Sequence, residues 1–154
     1  MEKIISEILP YVQVPSRYIG REINAYHKSK GDVNFVLCYP DLYEIGMSSL
    51  GIRLIYGLLN EMKDVICERV FAPAADMEKI LREKKIPLFS LESKKPVKDF
   101  DLLGFSVSSE LNYTNILNIL QLAGIPFLSR NRKQDSPVVI AGGNSIFNFT
   151  PLSP

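Results

Sequence analysis

One stretch, Asn34 to Gly51, constrains most of what this chain can fold into: N-F-V-L-C-Y-P-D-L-Y-E-I-G-M-S-S-L-G. Phe35 to Tyr39 is a nearly unbroken apolar run with β-formers, which suits a strand buried on both faces. Pro40 cannot donate to a sheet ladder, so it ends the strand. A polar loop follows from Asp41 to Gly46. Then Met47, Leu50, Leu54, Ile55, Leu58, Leu59 and Met62 recur at three- and four-residue steps, one apolar stripe on a helix. Ser48 or Ser49 is placed to cap its start. Strand, polar loop and helix N-terminus in this order make the place where open parallel sheets put their ligands.

The same alternation continues. Val65 to Phe71 reads as a second strand. Asp76 is an N-cap candidate for a short helix over Met77 to Lys84, with Met77, Ile80 and Leu81 inward. Leu88 to Leu91 suits a short edge strand, and Leu102 to Val107 a third buried strand. Asn112 or Thr114 then opens a helix that Gly124 and Pro126 close. Pro137 to Ala141 is a fourth strand, ending in Gly142-Gly143. Strands alternating with helices predict an α/β fold, a doubly wound parallel sheet with right-handed crossovers, over residues 33–154. Residues 1–32 show no complete domain. They read as an N-terminal arm that packs on this domain or on a region outside the chain. The chain ends soon after the Gly-Gly loop, where such a sheet ordinarily adds another helix and strand, so the expectation is a piece of a longer protein.

Composition removes several chemistries. A net charge of +1 offers no electrostatic footprint for nucleic acid or an anionic membrane. No apolar run approaches a bilayer span and no signal peptide is evident, which leads to the expectation of a cytoplasmic protein. His27 is the sole histidine, so a multi-histidine metal site is excluded. Cys38 and Cys67 are the only cysteines; both fall in predicted strands, where free cysteine acts as a small apolar residue. They are too few to hold an iron–sulfur cluster. Neither Gly-x-Gly-x-x-Gly nor a Walker loop occurs, against a dinucleotide or nucleoside triphosphate site. Lys94-Lys95 and Arg130 to Lys133 read as solvated loop charges.

Candidate site residues sit in the loops that leave the strands. Asp41, Tyr43, Glu44 and Gly46 crowd the first. Either they shape a ligand edge, or Asp41 organises its own turn and Tyr43 covers the sheet. Ser106 and Ser108 end the third strand and point to one side; they face a crevice or satisfy local backbone groups. Gly142-Gly143, with Asn144 beyond, leave a side-chain-free floor for a flat ligand or serve a tight turn.

These loops are similar to a known set. Flavodoxin-like (Rossmann-like) cobalamin-binding domains carry Asp-x-His-x-x-Gly, Ser-x-Leu and Gly-Gly at successive strand ends. Here the matching segments are Asp41-Leu42-Tyr43-Glu44-Ile45-Gly46, Ser106-Val107-Ser108 and Gly142-Gly143. With P-S-R-Y-I-G, R-V-F-A-P-A-A-D-M-E and V-I-A-G-G-N-S-I-F-N, the chain resembles the N-terminal region of a family of cobalamin-domain radical SAM proteins. The resemblance implies a corrinoid held by Asp41, Tyr43, Glu44, Gly46, Ser106, Ser108, Gly142, Gly143 and Asn144. Its partner would be a radical SAM barrel of the same parent, carrying a four-iron four-sulfur cluster and S-adenosylmethionine. Tyr43 stands where those domains have the histidine that ligates cobalt, and a phenol with a pKa near ~10 is a poorer ligand. Ser108 replaces their leucine. The resemblance therefore also admits a cofactor-free flavodoxin-like module for substrate recognition or interdomain packing.

Overall fold

The leading apolar run forms β1, Val33–Tyr39, at the interior of the sheet. The structure is a computed structural model and describes residues 1–148 and 150–152. Before β1 the chain forms α1, Glu2–Ile8. After it come α2, Tyr43–Ser48, and α3, Leu50–Glu61. Then follow β2, Val65–Phe71; α4, Ala75–Lys84; and β3, Leu102–Ser106. The series ends with α5, Tyr113–Ala123, and β4, Val138–Gly142. The strands lie in the order β2-β1-β3-β4, all parallel. Helices pack on both faces, a doubly wound, flavodoxin-like arrangement.

Alternation along each strand divides the core in two. Val36, Cys38, Leu103, Phe105 and Val107 face the larger cluster, with Met77 and Leu81 of α4 and Ile116 and Ile119 of α5. Leu37, Tyr39, Cys67 and Phe71 face the other side, against Ile52 and Tyr56 of α3. Both cysteines are buried and free. Among the described residues, no helix is long and apolar enough to cross a membrane.

Several local expectations are corrected. The first loop is shorter than the sequence suggests. Asp41 Oδ1 accepts the Leu42 N–H, the Leu42 carbonyl accepts from Ile45 and Gly46, and helix begins at Tyr43. Ser49, extended at ψ 118°, separates α2 from α3, and its hydroxyl makes no capping bond. Asp76 lies inside the first turn of α4, whose N-cap is Ala74. Leu88 to Leu91 is no regular strand: one isolated antiparallel bridge joins Phe89 to Pro96, while the Leu91 N–H bonds the Arg69 carbonyl along the edge of β2. Lys94 is not solvated. It is buried, and its Nζ donates to the carbonyls of Ile19 and Leu91.

The N-terminal segment makes contacts with the sheet and its helices. Ile5 and Ile8 of α1 join the larger core. Tyr18 Oη accepts the Ala74 N–H, and Lys28 Nζ donates to the carbonyls of Asn60, Met62 and Val65 at the end of α3. Ile8 is only 1% exposed. Truncating it to alanine is expected to cost about 2–5 kcal/mol, the range for a buried aliphatic side chain. Urea denaturation should show this as a lower midpoint with an unchanged slope.

Candidate functional site

In a parallel sheet of order 2-1-3-4, the strand order reverses between β1 and β3, and ligands bind outside the carboxyl ends of the strands at that point. A crevice of about 420 Å³ opens there. Its floor is the sheet face carrying Phe35, Gly104 and Ile140; its walls include Ile55 of α3 and Gly142 of β4. Polar groups gather at the carboxyl end: Tyr39, Ser49, Ser106, Ser108 and Asn144. Tyr39 Oη and Ser108 Oγ share a hydrogen bond of 2.7 Å that ties the ends of β1 and β3 together. The volume falls within the ~300–1,000 Å³ of small-molecule pockets.

The two neighbouring glycines differ in kind. A Cβ at Gly142 would meet no atom within 4 Å, so this position is bare crevice wall. Gly143 has φ +119°, and a Cβ there would lie 2.3 Å from the Val107 carbonyl oxygen. Backbone packing alone demands glycine at 143.

The first loop faces elsewhere. Asp41 Oδ2 accepts from the Asn112 amide at 3.2 Å, and the same amide nitrogen donates to the Pro40 carbonyl. Asp41 thus holds its own turn and joins it to the start of α5. Gly46 lies against Phe71: a Cβ would come within 2.2 Å of the ring. Tyr43 stacks edge-on against Phe71 and donates its hydroxyl to Glu22 Oε1 at 2.6 Å. Glu44 accepts from Arg17 Nε at 2.7 Å. Ser106, Ser108, Gly142, Gly143 and Asn144 therefore line one crevice, while Asp41, Tyr43, Glu44 and Gly46 do not.

What surrounds Tyr43 is an ionic cluster. Arg69, on β2, donates to Glu22 Oε2 and to Glu92 Oε1, each at 2.7 Å. Its own N–H bonds Glu92 Oε2, and its guanidinium lies 4.5 Å from the Tyr56 ring centre. Burial works against the Arg69 charge, but Glu92 and Glu22 outweigh it and raise its pKa. Burial and the bond to Glu22 push the Tyr43 phenol up to about 12, so it stays a neutral donor. Among the described residues, no group of three or more His, Cys, Asp or Glu side chains is arranged to hold a metal ion. Sequence reasoning missed Glu22, Arg69 and Glu92, whose meeting depends on how the N-terminal segment folds back. The lone polar signal was Glu-Arg at 68–69 inside an otherwise apolar strand.

Acid should release this segment first. Burial raises the Glu22 carboxyl, but bonds from Tyr43 and Arg69 prevail and hold it below the usual range; the Arg17 bond does the same for Glu44. A lowered folded pKa adds stability above the unfolded value of ~4.3, and that stability disappears as pH falls through the folded value. Pepsin cleavage within residues 19–31 is expected to rise several-fold below about pH 4, before the sheet's circular dichroism changes. Glu22→Gln should bring that cleavage on at neutral pH, read with a neutral protease.

A family model described as "Radical SAM proteins, N-terminal" matches residues 51–154, more than half of the chain, starting after the Asp41–Gly46 loop. No curated protein and no solved structure matches.

Proposed function

The chain belongs to the family of N-terminal regions of radical SAM proteins, and from that premise we propose that it binds a corrinoid at the carboxyl edge of its sheet, without cobalt ligation from Tyr43. The observation that carries this reading is that Ser106, Ser108, Gly142, Gly143 and Asn144, from two separate loops, line one crevice at the point where the strand order reverses. The crevice fits part of a corrinoid. Gly142 leaves open wall for a flat apolar ring, the Phe35 ring lies over Gly104 as apolar floor, and Ser106 and Asn144 add hydrogen-bonding groups at the rim. The position of Tyr43 does not fit a lower ligand, since its hydroxyl is committed to Glu22. A bound corrinoid would supply methyl-carrying chemistry to the parent protein. This chain's part would be to hold that group and keep its apolar side dry. The four-iron four-sulfur cluster and S-adenosylmethionine would belong to a radical SAM barrel of the parent, outside this sequence.

A second reading, a cofactor-free module for interdomain packing, is favoured by one observation. Asp41, Tyr43, Glu44 and Gly46 are all engaged within the domain.

Titration of the full-length parent with hydroxocobalamin and methylcobalamin, followed in the visible spectrum, separates the two. Saturable binding is expected. Gly142→Leu, which fills open space, should weaken it by more than about tenfold, equivalent to ~1.4 kcal/mol or more. Tyr43→Phe should leave the bound spectrum unchanged. A folded parent with no spectral change leaves the cofactor-free reading standing.

A further inference from the structure

One face of the sheet is only half covered. α3 lies over β1 and β2, and beyond it the same face of β3 and β4 presents Gly104, Ser106, Ile140 and Gly142, with Ile140 46% exposed. The other face is covered by α1, α4 and α5 as far as β3, and Val139 and Ala141 of β4 line a second cleft there beside α5. A helix with its side chains is about 10 Å across and strands are about 4.8 Å apart, so one helix covers roughly two strands. A second helix is missing beside α3 among the described residues.

One edge of α3, at Gly51 and Ile55, borders that space. An amphipathic helix ordinarily sets its apolar stripe inward. Here Ile52, Tyr56 and Asn60 are buried instead, and Leu50, Leu54, Ile55, Leu58 and Met62 are exposed. Ile55 forms the near wall of the crevice and Ile140 its floor, so this edge of α3 and the bare sheet make one apolar groove, while Leu54 and Leu58 lie on the side of α3 opposite Ile52 and Tyr56.

The residues just after β4 do not fill it. Tyr113 of α5 donates to the carbonyls of Ser145 and Asn148, and Leu152 packs on the larger core. The chain thus leaves β4 on the face of α5. A right-handed crossover to a further parallel strand at the open edge of β4 would put its helix on that face too. The bare half is reached only by a helix that comes after such a strand.

We propose that the groove between α3 and β4 is the seat of one α-helix from the same parent protein, contributed by sequence beyond residue 154. It would be apolar on the side that meets Ile55 and Ile140. The occupant follows from two observations. The family describes N-terminal parts, so a tethered remainder sits at roughly millimolar effective concentration. The groove lining carries no charge, which suits an apolar helix face and excludes recognition of an acidic or basic peptide. That helix would close the lower half of the crevice and leave its carboxyl end open. The inference rests on family membership, not on the corrinoid.

Hydroxyl-radical footprinting of the full-length parent tests it. Ile55 at 42% and Ile140 at 46% are here about half as exposed as Leu111 at 85%, which serves as the internal reference. A packed interface excludes solvent, so both should oxidise at least about tenfold more slowly than Leu111. A photo-crosslinker replacing Ile55 should attach to a peptide of the same chain beyond residue 154. Oxidation at rates comparable with Leu111 would overturn the proposal, as would a crosslink that joins two copies. A parent that binds no corrinoid yet shields both isoleucines leaves the seat in place and removes only the cofactor.

Discussion

A guanidinium buried inside a sheet has to be answered from every direction, and much of this domain is the answer to Arg69. The Arg69 side chain is 5% exposed and that of Glu92 is 2%. Removing one partner of such a pair leaves a buried charge uncompensated, a loss of about 3–5 kcal/mol. Glu92 therefore fixes the segment along the edge of β2, and Glu22 draws the N-terminal segment across the sheet. Tyr43 is caught in the same cluster through Glu22. The Tyr43 phenol is thus set by a charge on a neighbouring strand.

The parallel sheet was legible because its signals are local. Apolar runs at 35–39, 65–71, 102–107 and 137–141 each match a strand to within a residue or two. Gly124 closes α5 with φ +71°, as its place before Pro126 predicts. The burial of the N-terminal segment was not legible, because its contacts join residues far apart in sequence. Lys94 shows why. Its neighbour Lys95 and the polar loop around it read as solvent, but one of the two carbonyls that receive Lys94, that of Ile19, belongs to a segment folded back over it. Periodicity likewise finds the stripe on α3 without saying which face meets this sheet. Asn60, which donates to the Cys67 carbonyl and accepts the Cys67 N–H, takes a place that periodicity would give to an apolar residue.

The candidate site was legible in part for the same reason. Residues at the ends of β3 and β4 share a crevice because parallel strands in register bring their ends together, with Ser106 opposite Gly142. The β1 loop obeys the same geometry through Tyr39, which reaches Ser108. Beyond Tyr39, its side chains serve Phe71, Asn112 and the N-terminal segment instead.

The pair Gly142-Gly143 carries a consequence for reading other sequences of this kind. Residue 143 is held to glycine by the Val107 carbonyl whatever the crevice contains, while residue 142 has open space in front of it. Drift at these two positions should be unequal: a lineage that abandons a ligand keeps the second glycine and is free to change the first. The dipeptide is therefore two signals with different meanings. Only its first letter reports on the binding of anything.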